Sequence, residues 1–195
     1  NRERAETAYP RIGDWLTQPE SPLYALNPLV FAQGSMALGT VNEPIGEVEF
    51  DVDAVIQLEL PRHAEATEVR KWVANRLCDH GTFVQRLEHL PRCIRIRYEN
   101  GFHVDVVSAR SMDGKLQIAA GNAWETTNPV GFAQWFELRC GLLGARADKA
   151  HIQPLPGPEP TDAKQPLKLV VQLWKRARDT YFGTADAAPA SMLLT

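Results

Sequence analysis

A carboxylate stands in the middle of one of the most apolar stretches of this sequence. In Phe102-His103-Val104-Asp105-Val106-Val107 the pattern predicts a strand whose other residues belong in a core, so Asp105 needs an opposite charge or a metal ion beside it. Arg92, Arg95 and Arg97, in the segment just before, are the candidates for an ion pair, and on the residues alone pairing and metal ligation stay equally open. That segment, Arg92-Cys93-Ile94-Arg95-Ile96-Arg97-Tyr98, reads as a second strand, with Asn100-Gly101 as a favoured two-residue hairpin turn between the two. A further run, Phe50 to Leu60, partly alternates apolar and polar residues, as in a strand with one buried face, and Pro61 ends it. It carries Asp51 and Asp53, which two-residue spacing puts on one face. Two carboxylates held close repel unless protonated or bridged by a cation, so the pair suits Mg²⁺ or Mn²⁺; a lone Asp-x-Asp on the solvent side of an edge strand is nonetheless commonplace.

Around these strands the chain reads as mixed helix and strand. Ala8, Ile12, Trp15 and Leu16 mark a first helix ending near Thr17, with a kink or late start at Pro10. Pro19 to Pro28 is a loop leading into a strand at Leu29-Val30-Phe31-Ala32. Gly34-Ser35-Met36-Ala37-Leu38-Gly39-Thr40 then turns into a short helix, where glycine permits close approach and the hydroxyl and free N–H groups can donate to an anion; a plain strand-to-helix connection looks the same. Val69, Trp72, Val73 and Leu77 predict a helix over 65–80 closed by Gly81. A short strand is expected at Leu116-Gln117-Ile118, and a helix over Val130 to Leu142 with Phe132, Trp135, Phe136 and Leu138 as its apolar side. Five of the 14 prolines fall in Gln153 to Pro166, a linker or surface excursion. Leu167, Val170, Val171, Trp174 and Tyr181 then mark a long amphipathic helix, Leu167 to Phe182. The expected domains are a core over 1–152, the proline-rich linker over 153–166, and the beginning of a helical part over 167–195.

Composition narrows the functions available. The chain has 195 residues, 44% hydrophobic and 23% charged, with a formal charge of −3, which argues against holding a nucleic-acid polymer through bulk charge but leaves a small anionic ligand open. No run approaches the roughly 20 apolar residues of a membrane span, and Asn1-Arg2-Glu3-Arg4 lacks a signal's apolar core, so a cytoplasmic protein is expected. Cys78, Cys93 and Cys140 suggest neither a disulfide framework nor a zinc site and read as reduced, mostly buried thiols. A start without Met and an end in Ser191-Met192-Leu193-Leu194-Thr195, with no helix stop signal, suggest a piece of a longer chain.

In order along the chain stand Gly34-Ser35, Asp51-x-Asp53 on one strand and Asp105 on a later one. This constellation resembles the DNA polymerase β-like nucleotidyltransferases. The finer match, Gln33-Gly34-Ser35-Met36-Ala37-Leu38-Gly39-Thr40 with Phe50-Asp51-Val52-Asp53 and His103-Val104-Asp105-Val106-Val107, is similar to the bacterial cGAS/DncV-like nucleotidyltransferases, second-messenger synthetases of antiphage CBASS operons. Looser likenesses lie in Ala5-Glu6-x-x-Tyr9, Trp15-Leu16, Asn128-Pro129-x-Gly131-Phe132-x-x-Trp135-Phe136, Leu173-Trp174-Lys175-Arg176-x-Arg178-Asp179, and Ser191 to Thr195 as the next lobe helix cut short.

The resemblance implies an α+β fold: a polymerase β-like core of mixed sheet flanked by helices, followed by the start of a helical C-terminal lobe. It implies two Mg²⁺ ions, with Mn²⁺ as the alternative, held by Asp51, Asp53 and Asp105, the first two bridging both ions and Asp105 binding the one that activates a ribose hydroxyl. Gly34 and Ser35 would hold the β- and γ-phosphates, with Lys175 and Ser191 reaching the same triphosphate and Lys168 in reserve, although a lysine on an amphipathic helix is usually solvated. His103 shares the face of Asp105 and reads as a residue supporting the ligands or as a surface residue, since a metal-bound hydroxyl needs no imidazole. The implied activity joins NTPs into a cyclic di- or trinucleotide with release of pyrophosphate, and the implied partners are NTP substrates and CBASS regulatory proteins. Three rivals remain: an Asp-x-Asp glycosyltransferase using a nucleotide sugar, a transferase that adds nucleotides to an RNA end or a protein, and a degenerate fold used for binding.

Overall fold

A computed structural model describes residues 2–46, 49–99, 101–141 and 151–183. The helix α1, Arg2–Thr17, runs through Pro10 from its first residue, so the late start expected there does not occur. It buries Ala5, Tyr9, Ile12 and Leu16 against one face of a sheet. The strands are β1 (Leu29–Ala32), β2 (Phe50–Leu58), β3 (Leu87–His89), β4 (Ile94–Tyr98), β5 (Phe102–Met112), β6 (Lys115–Ala120) and β7 (Ala123–Thr127). They form one mixed sheet in the order β1-β2-β5-β4-β3, with β6 on the second half of β5 and β7 beside β6. Only the β2–β5 pair is parallel among the described strands.

Alternation sorts the two faces. Phe50, Val52, Ala54 and Ile56 of β2, with Phe102, Val104 and Val106 of β5, join α1 and the helix α3, Ala66–Cys78, in the main core. The opposite face carries Asp51, Asp53, His103 and Asp105 at one end and a small apolar cluster of Phe31, Val55, Val107 and Ala109 at the other. On α3 the buried stripe is Val69, Val73 and Leu77, whereas Trp72 stays exposed; the helix ends with the Asp79 N–H on Asn75 O, two residues short of Gly81.

A short helix α2, Gly34–Leu38, follows β1, while α4 (Pro129–Arg139) and α5 (Pro166–Phe182) pack near it through Leu38, Phe136, Cys140 and Val171. The apolar sides expected for α4 and α5 are largely not buried among the described residues: Phe132, Trp135, Leu138, Val170, Trp174 and Tyr181 are exposed. What α5 buries instead is Lys168, Val171 and Lys175, because that side faces the segment after α2. The proline-rich stretch lies over the molecule as an anchored strap. Ile152 bridges Val30, the Tyr9 hydroxyl donates to Gln153 O at 2.9 Å, and Glu159 pairs with Lys168 at 2.8 Å. Among the described residues no helix is long and apolar enough to cross a membrane.

Candidate metal and nucleotide site

Register builds the site. Parallel pairing of β2 with β5 sets Asp51 opposite His103 and Asp53 opposite Asp105, and antiparallel pairing of β4 with β5 sets Arg95 opposite Asp105 and Arg97 opposite His103. Because side chains alternate, all six project from the face away from α1 and α3.

Asp105 is held by a forked ion pair in which Arg95 Nε and Nη2 donate to its two oxygens at 2.7 and 2.8 Å. Of the three arginines considered from sequence, Arg95 is therefore the partner. Against burial, which raises a carboxyl pKa, the Arg95 fork wins and holds Asp105 below the usual range. Cys93, near Asp105, has its thiol pushed up to about 12 by burial and by that carboxylate, so it is a neutral neighbour rather than a reactive thiolate.

The Arg95 pair yields a direct expectation. Arg95→Met leaves a buried carboxylate without its counter-charge and should lower unfolding free energy by about 3 kcal/mol in chelator. Urea titrations with and without added Mn²⁺ check it: the deficit should shrink with the cation, and a variant as stable as the native chain in chelator would contradict the role given to the pair.

Asp53 is in a different situation. Burial first, then the neighbouring Asp51 and Asp105 carboxylates, push its pKa up to about 7, the behaviour of an acid group lacking enough positive charge nearby. Gly34 lies against it. The Gln33 N–H bonds Asp53 O at 3.0 Å, Gly34 takes φ +60°, and a Cβ built on Gly34 would overlap Asp53 Oδ2. Glycine is thus required twice at this position, for its backbone angle and for the closeness of the carboxylate.

His103, read from sequence as a supporting or surface residue, is buried and central. Its Nδ1 lies 2.7 Å from Glu49 Oε2 and its Nε2 2.9 Å from Asp51 Oδ1, the second contact lacking the alignment of a hydrogen bond. Burial opposes a charge on the ring, but Asp51 outweighs it and raises the His103 pKa. Glu49 is also gripped by Arg97 at 2.8 and 3.0 Å; these partners outweigh burial and lower its pKa. Sequence reasoning missed Glu49, although Glu49-x-Asp51-x-Asp53 continues the same alternation.

A divalent cation fits this donor set. Asp51, His103 and Asp105 each offer an atom within 4.8 Å of the others, and the raised pKa of Asp53 reports negative charge not yet neutralised. Of the other residues considered from sequence, Ser35 is half-buried on the turn and its carbonyl accepts the Thr40 N–H at 3.0 Å. Lys175 is buried, its Nζ donating to Thr40 O at 3.2 Å; burial lowers its pKa, with Asp51 and Asp53 among the charges acting on it. Lys168 is tied to Glu159, and Ser191 lies outside the described residues, as does Asn100 of the expected hairpin turn.

This sheet, with paired aspartates across a parallel register and a glycine turn against one of them, has the fold of a nucleotidyltransferase core. The structure of the Bradyrhizobium diazoefficiens CD-NTase CdnG in complex with GTP has the same fold, with a TM-score of 0.70 at 22% identity over 98% of this chain and 62% of that one. The 3′-deoxy ATP bound form of Vibrio cholerae DncV gives 0.65 at 17% identity, over 97% and 50%. Residues 28–108 match the family described as cyclic GMP-AMP synthase DncV-like, nucleotidyltransferase domain. The c-di-GMP synthase of Roseivirga ehrenbergii is 30% identical over 98% of this chain and 54% of its own length. The chain is thus similar to the cGAS/DncV-like nucleotidyltransferases. It spans about half the length of the curated relatives it matches.

Proposed function

We propose that this chain is the catalytic part of a metal-dependent nucleotidyltransferase that joins NTPs into a cyclic di- or trinucleotide second messenger. The observation that supports the reading most is the β2–β5 register, which gathers Asp51, Asp53 and Asp105 on one face beside the Gly34 turn. The relatives named for c-di-GMP and cyclic dinucleotide synthesis point to the same product class.

In the reaction a ribose hydroxyl attacks the α-phosphorus of an NTP; a new phosphodiester forms and the bond to pyrophosphate breaks. Bound Mg²⁺, or Mn²⁺, would supply Lewis acidity and neutralise charge on the phosphates. Asp51 and Asp53 would hold both ions and Asp105 one. Gly34, through its backbone, and the Ser35 hydroxyl would hold the β- and γ-phosphates. Lys175, buried and without a salt bridge among the described residues, is suited to reach the same triphosphate, and Ser191 is assigned there by family resemblance. Catalysis then consists mainly of positioning and charge neutralisation. We assign residues 1–152 to the core, 153–166 to the strap and 167–195 to the start of a helical lobe, and place the enzyme in the cytoplasm, in CBASS-type antiphage defence with its regulatory partners.

The test is incubation of the intact protein with the four NTPs and Mg²⁺. Pyrophosphate release with a phosphatase-resistant cyclic product, identified by mass spectrometry, is expected. Turnover confined to a nucleotide sugar, or nucleotides appended to an RNA end or a protein, would overturn the reading.

A further inference from the structure

We propose that His103 supplies a nitrogen ligand to the cation held by Asp51 and Asp105, making this a mixed carboxylate–imidazole site. The inference rests on the metal-site reading above and extends it.

Four observations converge. First, the imidazole is nine-tenths buried, and Nε2 is a buried atom with no aligned hydrogen-bond partner among the described residues. Such an atom costs free energy unless something binds it. Second, Nε2 lies beside the carboxylates. It lies 2.9 Å from Asp51 Oδ1, and one atom each from Asp51, His103 and Asp105 falls within 4.8 Å of the others. Two neighbouring ligands on an octahedral cation with bonds of about 2.1 Å stand about 3 Å apart, which is the Asp51–His103 separation. Third, the other ring nitrogen is already engaged. With Nδ1–H donating to Glu49 Oε2 at 2.7 Å, the Nε2 lone pair is left facing the site. A ligating histidine almost always gives its second nitrogen to such a carboxylate. Fourth, Glu49 is itself held by Arg97 Nη1, which donates to both carboxylate oxygens at 3.0 and 2.8 Å, so the ring is not free to turn away.

The carboxylates that favour positive charge at this nitrogen favour a cation equally. Imidazole suits transition ions, whereas Mg²⁺ prefers oxygen, so His103 should tilt the site toward Mn²⁺ without excluding Mg²⁺.

Pulsed EPR of Mn²⁺ bound to the intact protein labelled with ¹⁵N-histidine reads the ligand directly. The native protein should show ¹⁵N coupling from one directly bound imidazole, absent in His103→Gln. Competition between Mn²⁺ and Mg²⁺ should show that variant losing about tenfold of the preference for Mn²⁺. Arg92→Met, which loses only an exposed pair with Glu125, should keep the coupling. Bound Mn²⁺ with oxygen ligands only in the native protein would overturn this inference and leave the proposed function standing. No bound Mn²⁺ at all would overturn both. Because the native spectrum alone decides, the conclusion does not depend on whether His103→Gln folds.

Discussion

Replacing Asp51 and Asp53 together by asparagine should reduce nucleotide joining by at least about 1000-fold while leaving the fold in place. The size follows from the task given to the pair: without both carboxylates no anionic cradle for the cations remains, and electrostatic stabilisation is usually the largest part of such catalysis. Survival of the fold follows from the charges. Asp53 has its pKa raised to about 7 by burial and by Asp51 and Asp105, so in the folded chain its ionised form is disfavoured. A carboxyl whose folded pKa lies above its unfolded value costs stability as pH rises past the unfolded value, and the cost is complete above the folded one. In chelator Asp53→Asn should therefore unfold later than the native chain at pH 8, by on the order of 4 kcal/mol, with the difference vanishing toward pH 4. Urea titrations at the two pH values measure it. A double variant that retains activity, or an Asp53→Asn variant less stable at pH 8, would contradict the account.

Gly34→Ala should be severely damaging for a single added methyl group. Gly34 sits at φ +60°, where a left-handed conformation costs an L-residue about 1 kcal/mol, and the added Cβ would overlap Asp53 Oδ2. Either the turn or the carboxylate has to move, so both the proposed phosphate cradle and the metal ligand lose their placement. We expect activity to fall about 100-fold or more, because misplacement by about 1 Å is enough for that. Gly46→Ala is the matched control: its φ is +61° and, among the described residues, nothing lies within 4 Å of the new Cβ. It should cost about 1 kcal/mol of stability and leave activity alone. Similar activity losses in the two variants, read from initial rates and thermal unfolding, would show that backbone strain rather than contact with Asp53 is responsible.

The strands that carry the site were legible because their chemistry is written in local alternation. Phe50 to Leu58 and Phe102 to Val107 switch apolar and polar side by side, and the aspartates fall on the polar beat. Strands β3 and β7 were not legible: Leu87-Glu88-His89 is too short, and Ala123-Trp124-Glu125-Thr126-Thr127 lies at the sheet margin with little to bury. The turns offered help that composition did not. Asp113-Gly114 and Gly121-Asn122 are hairpin dipeptides flanking β6, with Asp113, Gly114 and Gly121 all at positive φ. Helical periodicity misled at α4 and α5, where apolar spacing implied a buried side and the described residues leave Trp135, Val170 and Trp174 exposed. Spacing says which residues share a face, not what covers it. The same limit hid His103. Its place opposite Asp51, and the reach of Glu49 to its other nitrogen, depend on pairing between strands separated by some fifty positions, which no local pattern encodes.

The most direct test of the metal and nucleotide site is the number of Mn²⁺ ions bound per chain in the presence of a non-hydrolysable NTP, measured by equilibrium titration on the intact protein. Two ions for the native protein, and loss of both in Asp51→Asn with Asp53→Asn, are the results the site predicts. Unchanged Mn²⁺ and nucleotide binding in the double variant would contradict it.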